Sequence, residues 1–171
     1  MGNILRVNMT TLETVSNQEE KYDFLGGRAL SSKIVHDEVQ ANCEPLGKKN
    51  KLVFATGVLS GTIASSASRI SVGAKSPLTK GIKEANCGGV AGARISKCGY
   101  QAIVIEGKAS SGTWVLIIDK DGARLEEWSE LRNKGTYETV SRLYKKFGGK
   151  VGILCVGPAG ERGLRGACVA S

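Results

Sequence analysis

Apolar and polar residues alternate from Asn3 to Ser16, with Leu5, Val7 and Met9 before a Thr10-Thr11-Leu12 break and Val15 after it. A period of two across a short polar break predicts a β-hairpin. The period then changes. After Gly26-Gly27, apolar residues fall at Leu30, Ile34, Val35 and Val39, one face of a helix over about Arg28–Val39. Lys51–Thr56 is a short β-rich run that ends at Gly57, Gly61 and the small-residue loop Thr62 to Ser68. Arg69–Lys75 alternates again and predicts a strand, broken by Ser76-Pro77. Beyond the Asn86-Cys87-Gly88-Gly89 turn, a short helix over Val90–Cys98 is closed by Gly99, and Gln101–Glu106 forms a buried strand ending at Gly107.

The same plan then recurs. Trp114–Asp119 and Ala123–Trp128 flank Asp121-Gly122, a strong hairpin turn. Tyr137, Val140, Leu143, Tyr144 and Phe147 form the stripe of a helix over Thr136–Phe147, capped by Gly148. Lys150–Val156 predicts a strand, followed by Gly157-Pro158-Ala159-Gly160 and Arg165. Aligning the two passes sets Gly57, Gly61 and Arg69 against Gly157, Gly160 and Arg165. This predicts an internal duplication: an α+β domain with pseudo-twofold symmetry, two facing β-sheets and outer helices. The first repeat spans residues 1–107 and the second 108–171. By that register the second repeat is roughly 32 residues short, which predicts that the chain is part of a longer or split protein.

Composition narrows the chemistry. The 171 residues suit a single domain, and 41% hydrophobic content is enough for a core. No apolar run is long enough to span a bilayer, and the N-terminus has no signal-peptide pattern, so a cytoplasmic protein is expected. The 24 Lys and Arg exceed the 16 Asp and Glu, giving a net charge of +8. His36 is the single histidine, on the face of a predicted helix, which excludes a multi-histidine metal site. The five cysteines, Cys43, Cys87, Cys98, Cys155 and Cys168, include no C-x-x-C pair. Most are expected to be reduced, buried small hydrophobes rather than ligands or disulfides, with Cys87 set apart by its polar Asn86-Cys87-Gly88-Gly89 surroundings.

Three features converge on anion binding. Glycine turns lead into helices at Gly26-Gly27 and Gly88-Gly89, where free backbone N–H groups favour phosphate oxygens. Arg69 follows a loop of small residues and can fork onto a phosphate. The positive charge attracts such a ligand. None of the turns is a G-x-G-x-x-G or P-loop motif. A phosphate-bearing small ligand, nucleic acid and purely structural glycines therefore all stand as readings. Nucleic acid is disfavoured by 5% aromatic content and the lack of a basic helix stripe.

Several motifs occur in order: Gly26-Gly27-Arg28, Asn50-Lys51-Leu52, Gly57-Val58-Leu59-Ser60-Gly61-Thr62, Ser76-Pro77-Leu78-Thr79, Asn86-Cys87-Gly88-Gly89, Cys98-Gly99-Tyr100-Gln101 through Lys108, and Gly157-Pro158-Ala159-Gly160-Glu161. Together they closely resemble the N-terminal domain of the tungsten-containing aldehyde:ferredoxin oxidoreductase family, over essentially the whole chain. The resemblance implies an enzyme that oxidises aldehydes to carboxylic acids and passes electrons through a [4Fe–4S] cluster to ferredoxin. It implies tungsten, or molybdenum, held by two pyranopterins whose phosphates are bridged by magnesium. By the same resemblance Arg69 contacts a pterin phosphate, Asn86 lies at the phosphate–magnesium group, and Gly88 offers unobstructed backbone beside Gly89.

The cluster ligands, the catalytic acids and the second set of pterin contacts belong to later stretches, so the chain alone is expected to be inactive. Its expected partners are the remaining domains or a subunit of the same enzyme, ferredoxin or another iron–sulfur protein, and a second copy in a homodimer. Leu12 and Lys80 stand where the family commonly has glycine, and Gln101 where it commonly has aspartate, which leaves the substrate open. The alternative reading is a stand-alone binding or scaffold module for a phosphate-bearing ligand or partner chain.

Overall fold

The computed structural model describes residues 2–171. Its centre is a six-stranded mixed sheet. The strands are β1 (Asn3–Asn8), β2 (Glu13–Asn17), β3 (Lys51–Thr56), β4 (Ile70–Lys75), β5 (Ile82–Cys87) and β6 (Tyr100–Glu106), in the order β2-β1-β6-β3-β4-β5. β6 lies between β1 and β3, parallel to the first and antiparallel to the second. Helices α1 (Gly27–Glu38) and α2 (Ala91–Lys97) make the connections.

Strand alternation sends side chains to two separate cores. On one face, Ile4, Val53, Ala55, Ala102 and Val104 pack against Tyr22, Leu30, Ile34 and Val35 of the α1 segment. Ser31 of this helix is fully buried, and a Cβ at Gly73 would come within 3.0 Å of its Cβ. On the other face, Leu5, Val7, Phe54, Ile70 and Ile103 gather with Ile95 of α2. The hairpin β7 (Trp114–Asp119) and β8 (Gly122–Glu127) covers this second face through Leu116, Ile118, Ala123 and Leu125. Behind the hairpin, Leu143 of α3 (Thr136–Phe147) joins Trp128 and Leu131 in a third cluster with Val115, Phe147 and Ile153. A short ladder, β9 (Cys155–Val156) with β10 (Val169–Ala170), and a single turn, α4 (Pro158–Glu161), complete the chain.

The architecture is thus a mixed α+β fold with one six-stranded sheet and two small two-stranded ones. Most predicted elements appear within a residue or two of their expected bounds. Two differ. β5 was expected as part of a turn. It is an edge strand, mostly exposed along its length, so it carries no apolar alternation to read. Lys150–Val156 was expected as one strand, but only Cys155–Val156 pairs. The cysteines also diverge from expectation, since Cys43 alone is buried and Cys168 is exposed.

Leu12 and Lys80 adopt left-handed backbone, with φ of 62° and 64°. Such a conformation costs an L residue about 1–2 kcal/mol, partly offset by the greater unfolded-state freedom of glycine. Leu12→Gly and Lys80→Gly should each therefore stabilise the chain, by about 0.5–1 kcal/mol. Thermal unfolding should show each midpoint rising by about 2 °C.

Candidate functional site

The sheet brings the predicted anion-binding residues to one corner. Arg69 immediately precedes β4, and Gly88 immediately follows β5. The last pair of that ladder is Ile70 opposite Cys87, so Arg69 and Gly88 face each other just beyond it. A Cβ at Gly88 would lie 4.0 Å from Arg69 Nη1. Arg69 is exposed, and among the described residues its guanidinium makes no ion pair and no side-chain hydrogen bond. Gly89 follows with φ of 89° and open space around it, so the chain turns toward α2 with its backbone accessible.

Asn86 is on β5, opposite Ser71 of β4 and on the face that carries α1. Its amide Nδ2 donates to Glu84 Oε1. Glu84 is itself held on two other sides. Arg28 Nε donates to its Oε2 at 2.8 Å and Ser71 Oγ to its Oε1 at 2.7 Å, and Ser71 Oγ lies 2.8 Å from Ser31 Oγ. This network fixes Asn86 with its amide nitrogen turned inward, and among the described residues its carbonyl oxygen accepts no hydrogen bond. Arg28 offsets the Glu84 charge, so the carboxylate does not leave the corner negative. The first turn of α1 is drawn in as well. A Cβ at Gly26 would meet Val58 N at 2.8 Å, which packs the Gly26-Gly27 turn against the segment that follows β3.

The structure therefore unites Arg69, Asn86, Gly88 and Gly89 with the Gly26-Gly27-Arg28 turn. Sequence reasoning missed Glu84 and Ser71 as the supports of Asn86. The available signal was the i, i+2 spacing of Glu84 and Asn86, which puts both on one face once β5 is a strand.

Arg165 lies four residues before β10, whereas Arg69 immediately precedes β4. β10 begins at Val169 opposite Val156, as β4 begins at Ile70 opposite Thr56. Cys168 is the residue that immediately precedes β10. His36 is exposed on α1, with Nδ1 3.1 Å from Asp37 Oδ1. Among the described residues no three His, Cys, Asp or Glu side chains gather as a metal site. No helix in them is long and apolar enough to cross a membrane.

An α+β frame with a free arginine, an oriented amide and open glycine backbone at one corner defines a domain suited to an anionic ligand. The family profile "Aldehyde ferredoxin oxidoreductase, N-terminal domain" matches residues 4–171. The chain belongs to the aldehyde ferredoxin oxidoreductase family and corresponds to its N-terminal domain. It is 39% identical over 172 residues to the tungsten-containing aldehyde ferredoxin oxidoreductase of Pyrococcus abyssi and 38% identical to that of Pyrococcus horikoshii. In both comparisons 98% of this chain is matched, and it spans 28% of the relative's length. Among solved structures, the active site complex BamBC of benzoyl coenzyme A reductase, in complex with 1,5-dienoyl-CoA, superposes with a TM-score of 0.93. The identity there is 29%, over 99% of this chain and 26% of that chain.

Proposed function

We propose that this chain is the cofactor-cradling part of a tungsten or molybdenum bis-pyranopterin oxidoreductase, acting on an aldehyde with ferredoxin as electron acceptor. The carrying observation is the unpartnered Arg69 guanidinium above Gly88, beside an Asn86 whose carbonyl oxygen is free. This donor set fits a pterin phosphate. Arg69 would hold the phosphate oxygens, Gly88 and Gly89 would let them reach the backbone, and Asn86 would take its place at the phosphate-bound magnesium. When bound, the metal centre would supply the two-electron chemistry between aldehyde and acid.

The chain's own residues bind and orient, and the Glu84 carboxylate at this corner is taken up by Arg28, Ser71 and Asn86. The isolated chain is accordingly non-catalytic in this reading. A [4Fe–4S] cluster, its ligands and the catalytic acids would come from other domains or a subunit of the same cytoplasmic enzyme, which pairs as a homodimer. The exposed Val58, Leu59, Ile63 and Val90 border the corner and support a covered surface here. The recurrence of hairpin, 3-10 turn, twelve-residue helix and strand in residues 1–107 and 108–171 supports an internal duplication.

A phosphate monoester titrated into the isotope-labelled chain tests the site. Resonances of Arg69 Nε–H and of the Gly88 and Gly89 amides should shift, and the shifts should vanish in Arg69→Ala and fade with salt. Shifts centred on Lys48 and Lys49, or none at all, would contradict the assignment.

A further inference from the structure

β5 is an edge strand whose side chains mostly face solvent, yet it withdraws one carboxylate from water. The Glu84 side chain is only 10% exposed. Burying a carboxylate is costly unless donors meet its oxygens. Three donors do so here. Arg28 Nε donates to Oε2 at 2.8 Å, while Ser71 Oγ, at 2.7 Å, and Asn86 Nδ2 both donate to Oε1. Behind Ser71 lies Ser31 Oγ at 2.8 Å, with the Arg28 carbonyl oxygen 3.3 Å from it as a second acceptor. Both serines are fully buried, so protein atoms alone decide where their hydroxyl protons point.

Elementary valence gives every bond in this array a direction. An ionised carboxylate accepts and never donates. Ser71 must therefore give its single proton to Glu84, and Ser31 must give its own to Ser71. Asn86 is under the same constraint. Only its NH2 can face Glu84, so its carbonyl oxygen is turned away from the array. β5 is exposed around Asn86, and among the described residues no other side chain bonds this amide.

We infer that Glu84 is the positioning residue of the corner: its acceptor-only Oε1 decides which end of the Asn86 amide faces the ligand. With Glu84 in place, Asn86 offers a cation-binding oxygen beside the anion-binding Arg69. The cation half rests on the proposed placement of Asn86 at a phosphate-bound magnesium; the amide orientation does not.

Glu84→Gln shows how much depends on one atom. Arg28 Nε still needs an acceptor, so the introduced amide puts its oxygen at the Oε2 position and its NH2 at the Oε1 position. That NH2 has two protons, one for Ser71 Oγ and one for Asn86. The serine chain then reverses. Ser71 donates to Ser31, and Ser31 to the Arg28 carbonyl oxygen. Asn86 must turn its carbonyl oxygen inward and its NH2 outward. The exchange inverts the Asn86 amide and leaves no buried donor or acceptor of the array unpaired.

NMR on the isotope-labelled chain as wild type, Glu84→Gln and Ser71→Ala tests this. Without ligand, the Asn86 side-chain NH2 should be protected from exchange with water in the wild type and in Ser71→Ala. In Glu84→Gln that protection should be lost from Asn86 and appear on the introduced side chain. With inorganic phosphate as the probe, magnesium should tighten binding about tenfold in the wild type and Ser71→Ala, the scale of one contact to a charged partner, and should not tighten it in Glu84→Gln. An Asn86 NH2 that exchanges freely in the wild type would overturn the inference. So would protection or a magnesium effect that persists in Glu84→Gln, or loss of both in Ser71→Ala, where Glu84 still faces Asn86. Failure of Glu84→Gln to fold would also overturn it, because the reversed array pairs every group. A wild type in which phosphate moves no Arg69 resonance, or in which magnesium changes nothing, contradicts the proposed function instead, and the ligand-free exchange still decides the role of Glu84.

Discussion

Gly92→Val is expected to lower the unfolding midpoint by about 10 °C and to abolish phosphate binding although Arg69 is untouched. A Cβ at Gly92 would sit 2.4 Å from Ser68 O, 3.1 Å from Ser68 C and 3.3 Å from Arg69 O. All three are main-chain atoms, so no side chain can swing aside. Either α2 or the loop that ends in Arg69 must move. Overpacking of this kind costs about 3 kcal/mol, and the displaced backbone carries the guanidinium away from Gly88. Gly89→Ala is the control. A Cβ there meets nothing within 4 Å, so the penalty is the left-handed φ alone, about 1–2 kcal/mol. Calorimetry on both variants, with the phosphate titration repeated on each, separates loss of packing from loss of binding.

Glu38→Ala is the second large effect. Glu38 closes the C-terminal end of α1 and takes hydrogen bonds from Arg6 Nη1 and Nη2 at 2.8 Å, Lys51 Nζ at 2.7 Å and Tyr22 Oη at 2.8 Å. Arg6 also forks onto Glu19, and Lys51 onto Glu106, so one carboxylate ties α1 to β1, β3 and β6. Burial pushes the Glu38 carboxyl up. The hydrogen bonds from Arg6, Lys51 and Tyr22 outweigh it and hold the group well below the usual carboxylate range. Tyr22 is raised in turn, by burial and by its bond to Glu38.

Removing the shared partner leaves the Tyr22 hydroxyl without its acceptor and Arg6 and Lys51 with only Glu19 and Glu106, a cost of about 1–3 kcal/mol. The pH dependence has a definite sign. A depressed carboxyl pKa contributes stability above its unfolded value of about 4.3 and loses it as pH falls toward the folded one. The stability gap between the native chain and Glu38→Gln, measured by urea denaturation, should be full at pH 7 and shrink steadily below about pH 4.

What the sequence disclosed depended on whether neighbours were local. α3 is legible because Tyr137, Val140, Leu143, Tyr144 and Phe147 repeat on one face, and both hairpins because alternation flanks a turn. β5 was hidden because an edge strand with little burial needs no apolar pattern; its partner β4 supplies its order. Residues 150–154 erred the other way, carrying a strand pattern without a strand to pair with. At the corner, Arg69 and the Gly88-Gly89 turn were legible from residue type and flexibility. Glu84 was not, because its orientation is set by Arg28, 56 residues earlier, and no local pattern records that contact.

The central claim is that this chain cradles a metal-bound pterin at Arg69 and Asn86. The most direct measurement is the tungsten, molybdenum and pterin content of the assembled complex, isolated anaerobically through this chain as wild type and as Arg69→Ala. The account predicts metal and pterin in stoichiometric amounts in the wild type, and at least a tenfold loss of both in the variant without loss of assembly, because the exposed Arg69 side chain makes no ion pair or side-chain hydrogen bond among the described residues. A wild-type complex carrying neither metal nor pterin, or a variant that retains both in full, would contradict it.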